Sequence, residues 1–192
     1  TGMDDLSNDR LVYEGLVNGY KPSLLKIMNM PKPVIGAING AAAGIGSAFA
    51  LACDLVVMSN QAYIKQAFVN IALIPDGGLN WLLTRTVGYR LAYEMAIEGN
   101  NVSADRCLEL GLANKVVSDG ELMTKSIEWA ESLSKKSSQS LRETKRVMRM
   151  VMTNDYESVF EKEAEANNAL HGSKDSLEAI QAFFEKREPN FD

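Results

Sequence analysis

From Pro33 to Cys53 the chain runs for 21 residues without a charged side chain. A stretch of that length can span a bilayer as a helix. Two features argue against a span here. Asn39-Gly40 is a strong turn dipeptide, and the middle of the segment is Gly and Ala rather than Leu or Ile. A buried strand, a turn and a small-residue helix fit better, in a soluble protein with no membrane partner. The charges around the segment agree with this. Residues 31–90 hold six, namely Lys32, Asp54, Lys65, Asp76, Arg85 and Arg90, whereas residues 121–192 hold 25 of mixed sign. The first region reads as the buried part of the fold, the second as amphipathic helices with solvated faces.

At 192 residues the chain suits one domain with a sizeable core, or one domain with a small appendage. A hydrophobic fraction of 46% and a charged fraction of 23% are ordinary for a soluble globular protein and argue against disorder. The net charge of −5 argues against a nucleic-acid partner, because phosphate contacts need a surplus of Lys and Arg. Cys53 and Cys107 lie in apolar stretches without metal-ligand spacing. They read as buried small hydrophobes in a reducing compartment, the cytoplasm, with no metal site implied. The opening Thr1-Gly2-Met3-Asp4 has no basic n-region and no signal-peptide core.

Residues 10–30 read as helical up to Pro31 and Pro33. Strands are expected at residues 33–38, 54–58, 62–66 and 115–117, with a small-residue helix over about 44–53. Further helices are expected near 79–87 and 89–98. Ser103 is a good N-cap for a short helix that stops at Gly111. Ser118 with Glu121, and Asn154 with Glu157, have the spacing that opens long helices. A helix from about Leu141 to Met152 lies between them, and a last one starts at Ser173 with Leu177, Ile180 and Phe184 on one stripe. Strands alternating with helices imply a buried, parallel-type sheet. Four short strands are few for so much helix.

The most unusual segment is Gly40-Ala-Ala-Ala-Gly-Ile-Gly-Ser47. It is not a phosphate loop. No Lys precedes a Ser or Thr in the Walker spacing, and Phe49 stands where a dinucleotide fingerprint needs Gly or Ala. Two readings remain. The glycines let a helix pack closely in the core, or they let backbone N–H groups at a helix start approach a ligand and stabilise an oxyanion. Asp76 is equally double: it can close a turn after Pro75, or it can move a proton. His171, the single histidine, reads as a solvated or capping residue near a helix end.

Pro33–Asp54 resembles the signature of the crotonase superfamily, the enoyl-CoA hydratases and isomerases. Gly2-Met3-Asp4-Asp5-Leu6 resembles the family's G-x-D loop, and Ile74-Pro75-Asp76-Gly77-Gly78, Gly88, Ala104–Val116 and Ala182–Phe191 match its later blocks in order. The resemblance implies an α/β fold, a ββα spiral core over residues 1–120 with strands expected ahead of it, and a C-terminal helical trimerisation region over 121–192. It also implies an acyl-CoA thioester whose carbonyl is held by two backbone N–H groups, those of Met3 and Ile45, with Gly2, Gly44, Gly46 and Phe68 lining the substrate. Phe183 and Lys186 match residues that meet the CoA of a neighbouring subunit, although a terminal Lys is also commonly just solvated.

The hydratases of the family use two glutamates, and the matching positions here are Ala48 and Phe68. Neither side chain moves a proton. Asp76 matches the catalytic carboxylate of some Δ3,Δ2-enoyl-CoA isomerases and ring-opening isomerases, which need one base only. The expectation is an enoyl-CoA isomerase with Asp76 as proton shuttle, no cofactor beyond the CoA of its substrate, and a homotrimer or a dimer of trimers. The alternatives are a hydratase or other enolate chemistry with an acid from further N-terminal sequence, and a non-catalytic CoA-ester-binding homologue.

Overall fold

The computed structural model describes residues 10–191, so the loop carrying Gly2 and Met3 lies outside the described residues. The chain forms two compact units. One takes in the described residues up to Met30 together with Val34–Lys125, and the other takes in Pro31–Pro33 and the residues from Ser126 onward.

The first unit opens with α1 (Leu11–Glu14), a π-helical turn (Gly15–Tyr20) and α2 (Lys21–Asn29). Pro22 sits in the first turn of α2, where its missing N–H is no loss. Next come β1 (Ile35–Ile38), β2 (Ala41–Ala43), α3 (Ile45–Ala52), β3 (Leu55–Ser59), β4 (Tyr63–Lys65) and a 3-10 turn (Ala67–Ile71). The unit continues through α4 (Leu79–Val87), α5 (Tyr89–Glu98), β5 (Asn101–Ser103), α6 (Ala104–Glu109) and β6 (Lys115–Val117). A 3-10 turn (Asp119–Glu121) then leads into α7 (Leu122–Ser134), along which the chain passes into the second unit.

Among the described residues six strands, two more than expected, make two three-stranded sheets. β1, β3 and β6 are parallel, with Ile35 opposite Leu55 and Val57 opposite Lys115. β2 runs parallel to β4, and β5 pairs antiparallel to β4, with Val102 opposite Ile64. The first four strands alternate between the sheets, and α3 returns the chain from β2 to β3. This is the ββα spiral: each turn adds a strand to both sheets. The two additional strands, β2 and β5, are three residues long and carry Ala or Asn where β-branched residues would announce a strand.

One continuous core fills this unit, with Leu24, Ala48, Met58, Ile64, Leu79 and Cys107 among its buried members. Asp54 is structural: its Oδ2 accepts the Val34 N–H at 2.9 Å and holds the entry to β1 against the start of β3. Cys107 is buried, which pushes its thiol up to about 11, whereas Cys53 is only half-buried. Ser103 caps α6 as expected, accepting the Arg106 N–H at 3.3 Å. Ser118 does bond the Glu121 carboxylate, but the turn there is 3-10 before α7 begins.

In the second unit α8 (Ser138–Met150) is capped by Ser137, α9 (Tyr156–Leu170) by Asp155 and α10 (Lys174–Glu185) by Ser173. Asn154 is therefore not the cap of α9. Asp155 Oδ1 accepts the Ser158 N–H at 2.8 Å, and its negative charge suits a helix N-terminus better. The buried cluster here is small: Val147, Val159 and Ala166. No helix among the described residues is long and apolar enough to cross a membrane.

Candidate active site

The glycine-rich segment becomes a strand, a bend and a helix start. After β2, Gly44 adopts φ +54° and ψ −127°, a conformation that strongly favours glycine. Its N–H donates to the Lys65 carbonyl at 3.0 Å, tying the bend to the end of β4. Ile45 then opens α3, where N–H groups have no intrahelical acceptor and the helix dipole is positive. Gly46 has open space where a Cβ would stand, and a Cβ on Gly44 would come within 3.7 Å of the Phe68 ring. Gly44, Ile45, Gly46 and Phe68 are thus brought together.

Asp76 joins them through its neighbour. Gly77 has φ +62°, and a Cβ there would lie 2.6 Å from Ile45 Cδ1 and 2.7 Å from Ala48 Cβ. Only a glycine lets the 76–78 turn press this closely on the first turns of α3. The backbone of that turn is held without the carboxylate. The Asp76 carbonyl accepts the Leu79 N–H at 3.1 Å, and Asn80 Nδ2 donates to the Pro75 carbonyl at 2.7 Å. Asp76 Oδ1 is buried and has no hydrogen-bond partner. Loss of solvation raises the carboxyl above its ordinary range. A carboxylate that served the turn alone would be bonded to it.

Ala48 is fully buried and Phe68 is 6% exposed, so apolar groups fill both hydratase glutamate positions. An apolar cavity of about 370 Å³ opens against Gly77 and Gly78, walled by Leu16, Val17, Leu24, Leu25 and Trp81, with Lys21 on its wall. The helical pattern of residues 10–30 by itself gives no hint of this wall. The signal available was Gly15 and Gly19 inside the helical pattern, where the backbone forms a π-helical turn. Two buried polar residues were missed as well. Ser47 Oγ donates to the Gly44 carbonyl at 2.6 Å, and Gln66 Nε2 donates to Ser47 Oγ at 3.2 Å.

Three further residues singled out in the sequence belong to the second unit. Phe183 is 78% exposed, and Lys186 is at the left-handed end of α10. His171 caps the C-terminal end of α9. Among the described residues no group of three or more His, Cys, Asp or Glu could hold a metal.

The family profile of enoyl-CoA hydratase/isomerase matches residues 5–192. The chain belongs to that family, within the crotonase superfamily. A probable enoyl-CoA hydratase of Rhodobacter capsulatus is 36% identical over 90% of this chain and 67% of its own length. The 1,2-epoxyphenylacetyl-CoA isomerase of Escherichia coli is 34% identical over 90% of this chain and 66% of its own. The chain thus spans about two thirds of the length of these relatives. Among solved structures, an enoyl-CoA hydratase from Polaromonas superposes with a TM-score of 0.93 at 31% identity, over 97% of this chain and 72% of that one.

Proposed function

We propose that this protein moves a double bond in an enoyl-CoA, from Δ3 to Δ2 or in a related ring or double-bond isomerisation, with Asp76 as the proton shuttle. The observation that carries the reading is the Asp76 carboxylate. It is partly buried, with an unpartnered oxygen, on a turn pressed against α3, while Ala48 and Phe68 stand where a hydratase would place glutamates.

The thioester carbonyl accepts the Ile45 N–H at the positive end of α3 and, by family resemblance, the Met3 N–H. Asp76 takes a proton from C2 of the 3-enoyl-CoA, and the negative charge spreads from the thioester oxygen along the dienolate to C4. The same carboxyl returns the proton at C4, which leaves the double bond at C2. Desolvation makes Asp76 a stronger base than an exposed carboxylate, which narrows the gap to the weakly acidic carbon. The cavity beside Gly77 and Gly78 takes the acyl chain. CoA arrives with the substrate, and no other cofactor is required.

The rival is hydratase chemistry, favoured by the hydratase names among the relatives. Two reactants separate the readings. With 3-enoyl-CoA the intact protein forms 2-enoyl-CoA, and Asp76→Asn loses at least about a hundredfold in kcat while still binding CoA esters. Rapid formation of 3-hydroxyacyl-CoA from 2-enoyl-CoA, or near-wild-type isomerisation by Asp76→Asn, would reject Asp76 as the shuttle. Tight ester binding with neither reaction would make the protein a non-catalytic binder. The assembly proposed is a homotrimer or a dimer of trimers. Leu177, Ile180, Phe183 and Phe184, all largely exposed on α10, support it, and Phe183 and Lys186 are its proposed contacts to a neighbour's CoA.

A further inference from the structure

The peptide that joins Gly44 to Ile45 has two ends. Its N–H is the donor assigned above to the thioester oxygen, and its carbonyl belongs to Gly44. That carbonyl accepts two hydrogen bonds from one residue, the Ser47 N–H at 2.9 Å and the Ser47 hydroxyl at 2.6 Å. The hydroxyl in turn accepts from Gln66 Nε2 at 3.2 Å. Ser47 is 0% exposed and Gln66 is 1% exposed, so water does not compete for either. Because the Ser47 oxygen already accepts from Gln66, its own proton is directed to the Gly44 carbonyl. Gln66 holds this orientation although its Oε1 is left buried without a partner. A buried polar pair with an orphaned acceptor is unfavourable for the fold, and an Ala and a Met would fill the space without it.

We propose that Ser47, oriented by Gln66, is a positioning residue that polarises the Gly44–Ile45 peptide and so strengthens the Ile45 N–H as an oxyanion donor. Charge drawn onto the Gly44 oxygen leaves its amide N–H more positive, and hydrogen bonds in series reinforce one another in a water-free site. The same two bonds fix the peptide plane, so the N–H needs no reorientation when charge develops on the substrate. Ser47 touches no reacting atom. The inference rests on the assignment of Ile45 as an oxyanion donor.

Infrared difference spectra of a bound 2-enoyl-CoA, isotopically labelled at the thioester carbon, read this polarisation directly. In the intact wild-type protein the carbonyl stretch falls below its value in water. Ser47→Ala returns part of that shift and lowers kcat for 3-enoyl-CoA by about tenfold, with KM changed less than threefold. Ser47→Cys, a weaker donor of similar shape, lies between the two. Gln66→Met leaves the hydroxyl in place but undirected and gives a smaller loss in the same direction. Equal carbonyl shifts in wild type, Ser47→Ala and Gln66→Met, with folding confirmed by circular dichroism, would overturn the relay while leaving the oxyanion assignment standing. No carbonyl shift in the wild type itself would overturn the assignment and the relay together.

Discussion

The two units of this chain hold themselves together differently. The first has a continuous core in which glycines stand where a Cβ would not fit: Gly77 against Ile45 and Ala48, and Gly99 against Val69. Among the described residues the second has a buried cluster of only three apolar residues, many exposed ion pairs, and large side chains such as Tyr156, Phe160 and Phe184 facing outward. The proposed chemistry belongs to the first. A backbone donor and one carboxylate can do their work only if the backbone itself is fixed, and close glycine packing fixes it.

The largest effect expected from this contrast is at Gly77. Gly77→Ala puts a methyl 2.6 Å from Ile45 Cδ1 and 2.7 Å from Ala48 Cβ, at a φ of +62° that L side chains rarely adopt. Overpacking and backbone strain together cost about 2–5 kcal/mol, so thermal unfolding shifts downward by roughly 5–15 °C. Activity falls further than stability, because the turn that carries Asp76 moves off α3. A Gly77→Ala protein with unchanged Tm would show that the turn is loose and would break the comparison.

Much of this was legible in the sequence, for reasons that differ from residue to residue. The uncharged run with Asn39-Gly40 announced a strand, a turn and a buried helix, because charge-free Gly and Ala sequence has few soluble uses. β2 was hidden, because three alanines prefer helix in isolation and only pairing with Tyr63–Lys65 makes them a strand. β5 was hidden because Asn101 and Ser103 flank its single β-branched residue, Val102, and Ser103 signalled the cap of the next helix more strongly. Asp76 could be singled out, but its burial depends on contacts with α3 that no local pattern records. Ser47 and Gln66 lie 19 positions apart, and only the fold makes them neighbours.

Core truncations, which leave the site's backbone in place, sharpen the comparison next. Leu83, 1% exposed on α4, contacts the large cluster, and Leu83→Ala is expected to cost about 2–5 kcal/mol. Val147, 7% exposed on α8, belongs to the three-residue cluster, and Val147→Ala is expected to cost about 1–2 kcal/mol. Denaturant titration of both variants checks the order. Equal losses would mean that the second unit is as tightly packed as the first.

A smaller effect, and one of opposite sign, is expected at Asp76. Burial raises its carboxyl pKa in the folded state above the unfolded value, so the folded protein holds that proton more tightly. Stability from this group is present below the ordinary carboxylate range and is lost as pH rises through the raised value. Asp76→Asn is therefore expected to be more stable than wild type at neutral pH, with the difference vanishing in acid. Melting curves across pH measure it. The acid limb of kcat/KM for 3-enoyl-CoA moves the same way, to a midpoint above that of an exposed Asp.

The smallest effect is expected at the end of the chain, where the second unit does use side-chain charge. Arg187 forms a paired contact to Glu178, at 2.6 and 3.0 Å, and reaches Glu185 at 2.6 Å, while the Asn190 N–H donates to Glu178 at 2.8 Å. These bonds fold the segment after α10 back onto its helix. They hold the Glu178 carboxyl down at about 2, chiefly through the Arg187 hydrogen bond. A carboxyl with a lowered folded value contributes stability above the ordinary range and loses it as pH falls toward that value, the reverse of Asp76. The pair is solvent-exposed and screened by salt, so Arg187→Ala is expected to leave global unfolding almost unchanged. Amide exchange at residues 186–191 should quicken in Arg187→Ala at neutral pH, and in wild type only once the solution is acid enough to protonate Glu178. Unchanged exchange in the variant would mean that packing, not charge, holds the tail, and the second unit would then resemble the first.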